Sequence, residues 1–121
     1  MAATIKLKWV YEPGTAEDGK RILVDRLWPR GMTKERLDIA YWAKSVSPSN
    51  DLRKWYGHDP ERWDEFRDRY YSELHGNPDG VQELLAHLGK GKVTFLYSSK
   101  EHEINNAAAL RDYLLPLLKR T

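Results

Sequence analysis

The residues best equipped for chemistry sit in one stretch, Arg21-Ile-Leu-Val-Asp-Arg-Leu-Trp-Pro-Arg-Gly31, where an apolar run passes directly into charged, aromatic and ring-constrained residues. Asp25 can orient a neighbouring arginine or act as a base. Arg26 and Arg30 can hold a phosphate or carboxylate in forked contacts. Trp28 offers a flat face for a ring or sugar attached to such an anion. A second group lies further along: His58, which can carry a proton; Trp55, a second candidate cover; and the loop Ser98-Ser-Lys-Glu101, where Ser98 can ligate phosphate and Lys100 adds a cation. Blander readings stand beside each of these. An Asp-Arg pair at a strand end also suits an internal ion pair, the tryptophans also suit a core, and a histidine at a helix entry also suits a backbone contact.

These residues need a frame that brings them together. Ile22, Leu23 and Val24 read as a strand covered on both faces. Lys92 to Tyr97 reads as another, with Val93, Phe95 and Tyr97 on one face and Thr94 and Leu96 on the other. Thr4 to Trp9 alternates apolar residues with Lys6 and Lys8, the pattern of a strand with one wet face. Ile39 to Trp42 suits a short strand or extended segment. Between them, residues 11–20 are turn-rich with room for one helical turn at Ala16–Asp18, too short a link to decide strand direction.

Helix signals fill the rest. Thr33 caps a short helix to Leu37, and Ser49 or Asn50 caps one over Asp51–Tyr56 that Gly57 ends. Asp59, Pro60 and Glu61 open a longer helix whose stripe is Trp63, Phe66, Tyr70 and Leu74. Asn77 and Pro78 open another, with Val81, Leu84, Leu85 and Leu88 inward and Gly89 as its stop. A last helix is expected from about Glu103 to Leu115, burying Ile104, Ala107, Ala108, Leu114 and Leu115, with Pro116 ending or kinking it. The fold class that follows is α/β: a small, mainly parallel sheet of three to four strands flanked by helices, in a single domain over residues 1–121. If the strands ending near Leu27 and Tyr97 are parallel neighbours, Asp25, Arg26, Arg30 and the Ser98–Glu101 loop converge on one rim, where open α/β sheets bind ligands.

Composition bounds the chemistry. The absence of cysteine excludes disulfides, thiolate nucleophiles and Cys-based metal sites, and suits a cytoplasmic setting. No segment has membrane-spanning length, so no membrane partner is expected. His75, His87 and His102 lack ligand spacing, so no metal site is assigned, and no cofactor motif is present: GxGxxG, Walker A, GxSxG and HExxH are all missing. A net charge of +2 is too balanced to favour nucleic acid, although basic loops with exposed aromatics keep a nucleic-acid or protein-binding module as the alternative. The leading expectation is a small anionic ligand, phosphate-bearing and with nucleotides in that class, met by an enzyme of hydrolase or transferase type. The oligomeric state is not encoded in any visible pattern.

Three blocks resemble a known family. Arg21 to Met32, Leu52-Arg-Lys-Trp-Tyr-Gly-His-Asp-Pro-Glu-Arg-Trp63, and Phe95-Leu-Tyr97 before a helix, with Ser47-Pro-Ser49 between, are similar to the DUF488 family in its YeaO-like branch. The resemblance implies a small α/β domain and a cytoplasmic bacterial or archaeal protein, and it implies no particular reaction. It also exposes a departure: family members tend to carry His-Asn where this chain has Ile104-Asn105. Asp25, Arg26, Arg30, His58 and Asn105 then become the shared residues to follow.

Overall fold

A computed structural model describes residues 3–119 of the chain. Four strands, β1 (Thr4–Trp9), β2 (Lys20–Leu23), β3 (Tyr41–Trp42) and β4 (Lys92–Tyr97), form one sheet in the order β1-β4-β2-β3, and every neighbouring pair is parallel. The undecided direction of the first strand is thereby settled. Among the described residues there are five α-helices: α1 (Lys34–Leu37), α2 (Asn50–Tyr56), α3 (Trp63–His75), α4 (Pro78–Leu88) and α5 (Asn106–Leu118).

Parallel strands must be covered on both faces, and here the two covers are unequal. On one face Ile22, Val93 and Phe95 pack with Leu52 and Tyr56 of α2, Phe66, Tyr70 and Leu74 of α3, Leu84 of α4, and Leu110 and Leu114 of α5. Phe95 is fully buried there, and its truncation to Ala would cost about 3–5 kcal/mol. On the other face the buried set is smaller: Leu23 and Leu96 pack with Val10, Met32 and Leu37, the last from α1, and the partly buried Trp28, Ile39 and Trp42 lie against them.

The rest of that thinner face is electrostatic. The 3₁₀ turn Ala16–Asp18 lies over it, with Thr94 Oγ1 donating to the Asp18 carbonyl at 2.7 Å. Asp18 is fully buried, and its carboxylate takes Lys8 at 2.8 Å, Arg21 at 2.6 Å and Lys6 at 3.3 Å. The expected wet face of β1 is therefore partly closed, because Lys8 turns inward to a counter-charge 10 residues away. Gly19 makes the close approach feasible: its φ is +63°, and a Cβ there would lie 2.2 Å from the Lys92 carbonyl oxygen.

The caps follow the sequence. Thr33 accepts from Arg36 N–H, Ser49 from Leu52 N–H, Asn77 from Gly80 N–H and Asn105 from Ala108 N–H. Asp59 accepts from Glu61 N–H as a cap should, but the turn it opens, Pro60–Arg62, is 3₁₀ and leads into α3. Two expectations for the last helix are corrected. It starts at Asn106 instead of Glu103, since Asn105 supplies the cap, and it runs through Pro116 to Leu118. A proline this near the end forfeits a single hydrogen bond in the last turn, so the helix survives it. Ile104 accordingly precedes the helix and Leu115 is 37% exposed, while Ala109, Leu110 and Leu118 join the buried side.

Candidate functional site

β2 and β4 are neighbours, yet the chain leaves them toward opposite faces, to α1 after β2 and to α5 after β4. Such a divergence opens a crevice beyond the strand ends. A cleft of about 600 Å³ lies there, within the range of small-molecule sites. Asp25, Arg26, Trp28, Arg30, His58, Ser98, Lys100 and Asn105 all line it.

The floor is a polar brace. Asp25 Oδ2 accepts from Ser98 N–H at 2.9 Å and from the Ser98 hydroxyl at 2.6 Å, and Oδ1 accepts from Asn106 Nδ2 at 2.9 Å. Asn106 also donates to the Val24 carbonyl at 2.9 Å. One carboxylate thus joins the ends of β2 and β4 to the first residue of α5. The neighbouring Asn105 is 2% exposed and committed on both sides, accepting from Ala108 N–H and donating to the Glu101 carbonyl at 2.7 Å.

The expected alternative for Asp25 and Arg26, an ion pair closing the sheet, does not form. Arg26 instead donates from Nε to the Pro48 carbonyl and from Nη2 to the Ser47 carbonyl, both at 2.9 Å. Those carbonyls fix the guanidinium without neutralising it. Arg30, Arg53 and Lys100 also line the cleft, and among the described residues none of these four cations has a carboxylate within ion-pair distance. Glu101 is the remaining acid on the lining. The cleft is therefore rich in positive charge that the protein does not compensate internally.

His58 stands on the wall in a left-handed conformation, φ +59°, directly after Gly57 at φ +52°. A non-glycine residue there is uncommon, although histidine tolerates it better than most. Its Nδ1 lies 3.4 Å from Ser99 Oγ, which in turn accepts from Glu101 N–H at 3.0 Å. Among the described residues no carboxylate pairs with the ring. Tyr56, one turn after Arg53, donates to the Ile104 carbonyl at 2.9 Å. Burial, with Glu101 and Asp59 adding to it, raises the Tyr56 phenol above its ordinary value, so it remains a donor.

Trp55 lies off the cleft. Its ring is covered by Arg62 and Arg69, whose guanidinium carbons are 5.3 and 4.3 Å from the ring centroid. Lining residues that the sequence reading passed over include Tyr11, Leu27, Arg53, Tyr56 and Asn106. A signal existed for two of them, because Arg53 and Tyr56 are three apart on a helix and share a face that Trp55 does not. The side chains of Tyr97 and His102 meet behind the loop, with Oη and Nδ1 2.7 Å apart. His102 is thereby tied to the end of β4 and lies outside the cleft lining.

Comparison with known proteins agrees with the sequence blocks. Residues 4–121 match a family described as the "Inactive DUF488-N3 subclade". The uncharacterized protein Rv3073c of Mycobacterium tuberculosis (strain ATCC 25618 / H37Rv) is 40% identical over 110 residues, 91% of this chain and 92% of that one. The uncharacterized protein YeaO of Escherichia coli (strain K12) is 40% identical over 113 residues, 93% of this chain and 98% of its own length. No solved structure matches the chain. With its fold, its motif blocks and these relatives in agreement, the chain belongs to the DUF488 family, as a YeaO-like member that falls within the subclade described as inactive.

Proposed function

We propose that the protein binds a small anionic ligand, phosphate-bearing by preference, in the cleft beyond β2 and β4, and holds it without turning it over. The carrying observation is the contrast between the four unpaired cations, Arg26, Arg30, Arg53 and Lys100, and a carboxylate, Asp25, already taken by three donors. Cations without an internal counter-charge favour an external anion. A base occupied by the scaffold does not favour proton abstraction, and among the described residues His58 has no acidic partner to orient it. Ile104 adds no titratable group, and the description of the matching subclade as inactive supports the same reading. A cytoplasmic location suits a cysteine-free chain.

The test is thermal unfolding with inorganic phosphate, sulfate, citrate and phosphate monoesters at constant ionic strength. A ligand of the native state raises the melting temperature in proportion to its saturation. The proposal fails if no anion shifts the transition, or if an Arg53→Ala/Lys100→Ala double variant shifts as much as the parent. Steep loss of affinity with salt, spread over many phosphates of an oligonucleotide, would instead support the nucleic-acid-binding alternative.

A further inference from the structure

Three large hydrophobic side chains stand well exposed among the described residues, and two of them, Tyr11 at 39% and Leu27 at 55%, line the same cleft. Isolated exposed hydrophobics are ordinary, but two on the wall of one concave, cationic site form an apolar surface with a purpose. They leave the sheet from β1 and β2, the strands on either side of β4, so they flank its exit. Tyr11 is also held in place: its hydroxyl donates to the Arg30 carbonyl at 2.8 Å, and its ring meets Trp9 edge-on at 5.0 Å and 71°. A ring fixed in advance loses little freedom when something stacks on it.

We infer that the ligand is a phosphate ester carrying a planar aromatic ring, in the chemical class of a nucleoside monophosphate. The unpaired cations take the phosphate, while Tyr11 and Leu27 take the ring. A bare phosphate or a sugar phosphate satisfies only the charged half of the lining and leaves the apolar half wet. This assignment rests on the anion-binding reading above and narrows it.

Calorimetric titration of the full chain with adenosine 5′-monophosphate, ribose 5-phosphate and inorganic phosphate tests it. The nucleotide is expected to bind at least about fivefold more tightly than ribose 5-phosphate, the lower end of what one stacked base contributes. Leu27→Ser should reduce that preference while leaving the affinity for ribose 5-phosphate unchanged; Tyr11→Ala should reduce it too, and Tyr11→Phe, which equally lacks the hydroxyl bond to the Arg30 carbonyl but retains the ring, should keep it. Equal affinity for the two esters, or an undiminished preference in both Leu27→Ser and Tyr11→Ala, overturns the ring assignment and leaves anion binding standing. Failure of all three probes to bind removes both.

Discussion

Ser98 gives both of its donors to one oxygen of Asp25, the backbone N–H at 2.9 Å and the hydroxyl at 2.6 Å. The contact spans 73 residues of sequence and closes the gap between two parallel strands exactly where their chains diverge to opposite faces. Asp25 is thus first a positioning residue, whatever the cleft above it holds.

That role is testable by Asp25→Ala. Three donors lose their acceptor, and the expected cost is roughly 2–3 kcal/mol in urea unfolding at neutral pH. Anion affinity should fall only as far as the cleft loosens, and excess ligand should restore part of the stability. Unchanged stability with complete loss of binding would reassign Asp25 to direct ligand contact.

Arg53 and Lys100 behave in the opposite way. Both are exposed on the cleft wall and carry no internal ion pair, so Arg53→Ala and Lys100→Ala should leave stability within about 0.5 kcal/mol of the parent. Phosphate affinity should drop severalfold for each, more steeply at low salt than at high salt. Isothermal titration at two ionic strengths measures both effects, and a salt-independent loss would point to a steric cause.

The buried carboxylate of Asp18 predicts acid behaviour. Burial opposes its ionisation, but Lys8, the Thr15 backbone N–H, Arg21 and Lys6 outweigh that and hold it far below its ordinary value of 3.8. A depressed folded pKa contributes stability that is complete above the unfolded value and is lost as pH falls below it toward the folded one. Asp18→Asn should therefore cost about 3–5 kcal/mol at pH 7, because Lys8 and Arg21 are left buried without a counter-charge. Its stability should also fall less than that of the parent on acidification from pH 5 to pH 2, as followed by denaturant titration across that range.

Tyr70 makes the matching prediction in base. Complete burial, reinforced by Glu73 and Asp25 against the opposing charge of Arg26, raises its phenol well above the ordinary 10.0. Its stabilising effect is present below that value and is lost as pH climbs past it toward the raised folded pKa. Its hydroxyl donates to the Val46 carbonyl at 2.5 Å, so Tyr70→Phe should cost about 1–3 kcal/mol and remove the most base-resistant phenol from an absorbance titration.

Much of this frame could be read from local pattern, because strand alternation and capping residues act over a few positions. Ile22 to Val24, the faces of Val93 to Tyr97, and the caps at Thr33, Ser49 and Asn77 all depend on their near neighbours. The gathering of Asp25, Arg26, Arg30, Ser98 and Lys100 around one cleft followed from the assumption that two strands are parallel neighbours, whereas His58 joins them from the turn after α2, which that assumption did not place. What escaped depends on distance in space. Nothing near Asp18 in sequence announces that Lys6 and Lys8 will turn toward it, and nothing near Asn106 announces that it will reach Val24 and Asp25. Trp55 was misjudged for a related reason, since its arginine cover comes from the segments that begin after Gly57.

The Asp25 brace also changes what a sequence signature around it can mean. A pattern keyed to this aspartate selects chains that need their two central strands pinned together, so it detects architecture and is blind to turnover. The signature alone therefore cannot separate a chain that turns a ligand over from one that does not, and that distinction has to be sought among the other side chains that face the hollow.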